Sequence, residues 1–97
     1  MKYYLEYVNH ILRFYSRYPT PPCFACTADQ KNWLSAKEVL STLPESDRCV
    51  IIEVYQSRDT ISGGVKQASK KYNISEGAIW TMLSNVTKRI AEKRELI

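Results

Sequence analysis

The sequence predicts an all-α chain, a five-helix bundle whose last two helices form a helix-turn-helix. Three observations carry this expectation. Apolar residues recur at steps of three and four along most of the chain, the period of an amphipathic helix. Alternating strand patterns are absent; only Cys49–Val54 is β-prone, and it is short and embedded. From Ala68 to Ile90 the chain reads small, apolar, turn, apolar, cap, and then a second apolar stripe.

The first helix is expected over residues 2–18. Tyr4, Val8, Ile11, Tyr15 and Tyr18 step by four, three, four and three, and Leu5 and Leu12 widen the stripe. His10 falls to one side of it. Pro19, Pro21 and Pro22 end that helix and begin an extended loop that runs to about Ala28. Asp29 is a natural N-cap for a second helix through Ser41, with Trp33, Ala36 or Lys37, and Leu40 on one face and Leu34 and Leu43 beside them. Leu43-Pro44 breaks it. Pro44 suits the first turn of a third helix, with Glu45 and Asp47 at its positive end and Val50, Ile51, Val54 and Tyr55 on its apolar face. Residues 57–64 read as a connector, with Gly63-Gly64 as its flexible point. The fourth helix is expected over about Val65–Tyr72. The fifth is expected after Ser75, a good N-cap, running to about Arg94.

The chain has 97 residues, so the expected organisation is one domain. Within it, residues 1–28 form an N-terminal helix plus a Pro/Cys loop, and residues 29–97 form the helix-turn-helix bundle. An apolar content of 44% and a charged content of 25% are those of an ordinary globular protein. No apolar run approaches the ~20 residues of a membrane span, and Met1-Lys2 does not open a signal peptide, so a cytosolic address is expected.

The net charge is +4, and its distribution matters more than its size. Residues 1–59 hold seven Lys/Arg and seven Asp/Glu. Residues 60–97 hold Lys66, Lys70, Lys71, Lys88, Arg89, Lys93 and Arg94 against Glu76, Glu92 and Glu95, which is the full excess. The excess positive charge therefore coincides with the helix-turn-helix. A phosphate-binding surface needs that coincidence, whereas basic residues alone would mean only a soluble helix end. On the second helix of the motif, Ile79, Leu83, Val86 and Ile90 must face the core. Glu76, Gly77, Trp80, Thr81, Ser84 and Lys88 then face outward. Thr81 and Ser84 can hydrogen-bond base edges or phosphates, and Lys88 can bind phosphate. The N–H groups near Ser75–Gly77 can hold another phosphate. Lys66, Lys70 and Lys71 lie on the helix that crosses the backbone in such motifs. The expectation is a DNA-binding regulator with a recognition helix at about Ser75–Lys88 in the major groove of double-stranded DNA.

From Val39 onward the chain resembles the C-terminal domain of primary-type bacterial sigma factors, the part that reads the promoter −35 element. That family opens with Leu-Pro-Glu, an Arg, apolar residues and a Tyr. The counterparts here are Leu43-Pro44-Glu45, Arg48, Val50-Ile51 and Tyr55. Its turn and recognition helix read Gly-Ile-Ser-Glu-Gly-Thr-Val, and the matching run is Asn73-Ile74-Ser75-Glu76-Gly77-Ala78-Ile79, followed by Leu83 and Lys88-Arg89. The chain departs from the pattern in three ways. The connector after Tyr55 is longer by about one helical turn. Trp80 and Met82 stand where the family often has basic residues. The first 38 residues match nothing in that domain. The sigma domain that melts the −10 element and grips polymerase is not expected within these 97 residues. The resemblance thus implies a stand-alone relative, of the kind found among small phage and mobile-element regulators.

Other readings stay open. Trp80 can stack on a thymine methyl or a sugar, pack on the connector, or mark a protein contact, since exposed Trp is enriched at hot spots. That would suit a protein-interaction module on the same scaffold, with RNA polymerase or another regulator as partner. Cys23-Phe24-Ala25-Cys26 has the spacing of half a zinc site, which Cys49 and His10 could complete. A lone CxxC is a weak signal, free thiols packed on the core are the plainer reading, and no metal or other cofactor is expected. One His, no glycine-rich phosphate loop and no paired carboxylates argue against an enzyme. The tyrosine-rich stripe of the first helix needs an apolar partner, either the bundle itself or a second copy of the chain in a homodimer.

Overall fold

The computed structural model describes residues 4–18, 27–57 and 60–96. Among them are five helices and no strand: α1 (Leu5–Arg17), α2 (Thr27–Ser41), α3 (Glu45–Gln56), α4 (Ile61–Tyr72) and α5 (Glu76–Lys93). The all-α, five-helix expectation therefore stands. No described helix is long and apolar enough to cross a membrane.

The stripes read from the sequence meet in one core. Val8, Ile11 and Leu12 of α1 join Ala36, Val39 and Leu40 of α2, and Val50, Ile51, Val54 and Tyr55 of α3. Val65 and Ala68 of α4 and Ile79, Leu83, Val86 and Ile90 of α5 complete it. The apolar partner that α1 requires is thus supplied within the chain, since α1 packs on α2, α3 and α5. Polar bonds fix the same docking. The Tyr55 hydroxyl donates to Asn9 Oδ1 at 2.7 Å, Gln56 Nε2 donates to the Ser16 carbonyl at 3.0 Å, and Trp33 Nε1 donates to the Tyr18 carbonyl at 2.7 Å. Burial holds the Tyr55 hydroxyl well above the ordinary tyrosine range, against a small opposing pull from Arg13.

Several boundaries differ from expectation. α1 ends at Arg17, and Tyr18 is its C-cap, more than half exposed, instead of the last member of the stripe. α2 begins at Thr27, so Asp29 lies inside its first turn, where it still favours the helix dipole, and is not its cap. Leu34 is exposed, because Trp33, Ala36, Val39 and Leu40 already fill the face toward the core. Pro44 is itself the N-cap of α3. His10 is exposed, as its place off the stripe implies.

The largest correction concerns Gly63-Gly64. They are not a flexible point in a connector; both lie within α4, which begins at Ile61. Thr60 caps this helix, its side-chain oxygen accepting the Gly63 N–H at 3.1 Å. Gly64 is buried against α3, and a Cβ there would stand 2.7 Å from the Val54 carbonyl oxygen. Glycine at this position permits the close approach of α4 to α3 and does not serve as a flexible point. The connector is correspondingly shorter than the sequence suggests.

Candidate nucleic-acid interface

The joint between α4 and α5 is built from three residues. Asn73 takes the left-handed conformation, φ 55° and ψ 48°, that an αL helix stop requires and that Asn tolerates better than most residues. The Ile74 N–H then closes back on the Ser69 carbonyl at 3.2 Å, and the Ser69 hydroxyl donates to the Ile74 carbonyl. This turns Ile74 onto the core, where it is partly buried. Ser75 caps α5, its hydroxyl oxygen accepting the Ala78 N–H at 3.2 Å. The other end of α5 is closed by a Schellman pair: Leu96 N–H to the Ala91 carbonyl at 2.8 Å and Glu95 N–H to the Glu92 carbonyl at 3.1 Å. Both ends and the inner face of α5 are therefore fixed.

The outer face divides into two parts. Gly77, Thr81, Asn85 and Lys88 follow one another at steps of four, four and three, and all are exposed. They form a single row, with Thr81 and Lys88 about 10 Å apart along the axis. The Thr81 hydroxyl donates to the Gly77 carbonyl at 3.0 Å, leaving its methyl and its lone pairs outward. Asn85 belongs to this row and is an outward residue beyond those expected from the sequence. The signal was available, since it stands four residues after Thr81.

Trp80 and Ser84 lie on the flank of the helix instead. They line a small apolar cavity of about 130 Å³ together with Leu5 of α1, Tyr55 of α3, Ile61 of α4 and Leu83. Trp80 remains 44% exposed there. Its indole thus leans toward the start of α1 and α4, not along the row of Thr81 and Lys88.

The seven basic residues of 60–97 are not equivalent. Lys71 pairs with Glu53 of α3 at 3.2 Å, and that hydrogen bond and charge raise the Lys71 pKa. Lys93 pairs with Glu38 of α2 at 2.9 Å. Arg94 Nε donates to Asn32 Oδ1 at 2.7 Å, and Asn32 Nδ2 in turn donates to the Tyr7 hydroxyl at 3.0 Å, which joins α5 to α2 and α1. These three cations are engaged within the bundle, linking α4 to α3 and the end of α5 to α2. Lys66, Lys70 and Lys88 are exposed and Arg89 is half-buried, and none of them makes an ion pair among the described residues. Glu76 is exposed in the first turn of α5, so an anion already sits near that positive helix end.

Cys23 and Cys26 lie outside the described residues. Cys49 is a free thiol on the surface of α3, so it does not pack in the core. Among the described residues no three His, Cys, Asp or Glu side chains are grouped as a metal site would need.

No family model matches the chain, and neither a curated protein nor a solved structure matches it.

Proposed function

We propose that this chain is a DNA-binding transcription regulator. In this reading α4 and α5 act as a helix-turn-helix on double-stranded DNA, with α5 in the major groove and α4 across the backbone. The observation that supports it best is the exposed row Gly77, Thr81, Asn85 and Lys88, on a helix capped at both ends, together with Lys66 and Lys70 on α4, exposed and without an ion pair among the described residues. A rigid helix with small, polar and basic outward residues suits a groove lined by base edges and phosphates. The resemblance of Asn73–Ile79 to the sigma-factor turn supports the same reading, as does the coincidence of charge and motif. It points to a sigma-like regulator.

Fluorescence anisotropy with labelled duplex DNA tests this directly. Binding should be tight at low salt and should weaken linearly in log K against log salt. Absence of binding at low salt would rule the reading out.

One observation favours a second role for the same scaffold. The half-exposed Trp80 beside an apolar cavity has the character of a protein contact, with RNA polymerase or another regulator as partner. Binding to such a partner would persist at high salt and fail in Trp80→Ala. A homodimer is the further arrangement to check, by light scattering, because half-site reading generally uses two copies.

A further inference from the structure

Asn85 differs from every other polar residue on α5. The Ser75 hydroxyl accepts from the helix backbone as the N-cap. The hydroxyls of Thr81 and Thr87 donate to the carbonyls of Gly77 and Ser84, and Thr87 is buried. Ser84 lines the Trp80 cavity. Lys88 offers donors only. Asn85 carries the one carboxamide of α5, an amide donor and a carbonyl acceptor side by side, exposed and with no hydrogen-bond partner among the described residues. It also stands near the middle of α5, one turn after Thr81 and just under a turn before Lys88.

An Asn side chain is short, so it reaches a base only if its helix settles close to the groove floor. The neighbours on its N-terminal side allow that. Gly77, Ala78 and Thr81 are all small and exposed. In the major groove, adenine offers N7 as acceptor and its N6 amino group as donor, the complement of one carboxamide. Guanine offers two acceptors at the same edge, and the carboxamide cannot satisfy both.

We infer that Asn85 is a specificity-determining residue that reads an adenine, so that the preferred site of this chain contains an obligatory A·T pair opposite the middle of α5. The inference rests on the DNA reading proposed above. Lys66, Lys70 and Lys88 hold the backbone and set affinity, and Asn85 sets sequence.

Selection from a random duplex library at fixed salt tests it, with wild-type protein, Asn85→Ala and Lys70→Ala in parallel. Wild type should enrich sites with one invariant A·T position. Asn85→Ala should lose about ten- to hundredfold discrimination at that position alone. Lys70→Ala should bind every sequence more weakly and keep the same preference. Asn85 is exposed, so an unchanged urea midpoint should show that the fold is intact. Binding that is salt-dependent but has the same base preference in Asn85→Ala would overturn the inference and leave the DNA reading standing. No binding by wild type at low salt would overturn both.

Discussion

Gly64 and Val54 stand so close that a methyl group on Gly64 would lie 2.7 Å from the Val54 carbonyl oxygen. That oxygen belongs to α3, and Val54 is fully buried, so it has little freedom to retreat. Gly64→Ala should therefore push α4 off α3. The expected loss is about 1–3 kcal/mol, the usual cost of an overpacked contact. Alanine is the better helix former by about 1 kcal/mol, so the sign of the result is informative. Urea unfolding measures it, and a variant as stable as wild type would mean that the two helices are further apart.

Gly77 makes the opposite prediction. Nothing lies within 4 Å of the place its Cβ would occupy, and its backbone does not have a positive φ. The fold does not need glycine there. Gly77→Ala should raise stability by about 0.5–1 kcal/mol. On the proposed reading, the DNA passes close to this turn, so the same change should weaken DNA binding. Stability and affinity would then move in opposite directions. If both rise, nothing approaches Gly77 from outside.

Lys70 and Lys71 are neighbours with different prospects at a phosphate. Lys71 is held by Glu53 at 3.2 Å, whereas Lys70 has no ion pair among the described residues. Lys70→Ala should lower the slope of log K against log salt by about one. Lys71→Ala should change it less, because Lys71 must leave a carboxylate to meet the DNA. Glu53→Gln should free Lys71 and tighten binding to all sequences. Equal effects of the two lysines would show that the pair breaks in the complex.

The contrast between these residues shows what the sequence could reveal. Ile79, Leu83, Val86 and Ile90 were legible as a buried stripe because helical period is a local property. Asn73 and Ser75 were legible because stop and cap chemistry is local too. The start of α4 was not, since a glycine pair reads as flexible unless the facing helix is known. Val54, which decides the matter, is ten positions from Gly64. The partners of the basic residues were hidden for the same reason. Glu53, Glu38 and Asn32 reach Lys71, Lys93 and Arg94 only after the chain has folded. Charge counted along the sequence therefore overstated the surface left for an anion.

Tyr55 gives a prediction about alkaline pH. Its hydroxyl is buried and donates to Asn9 Oδ1 at 2.7 Å. Burial raises its pKa above the ordinary 10.0. The native state thus keeps this proton at a pH where the unfolded chain releases it. The stability linked to it is fully present below pH 10.0 and is lost as pH rises beyond that. The slope is about 1.4 kcal/mol per pH unit for one proton. Tyr55→Phe removes both the hydrogen bond and the titrating group. At neutral pH the variant should be weaker by about 1 kcal/mol. Above pH 10 the wild type should lose stability faster than the variant, so the two urea midpoints should converge and then cross. Parallel curves through the alkaline range would show that the Tyr55 hydroxyl is open to solvent.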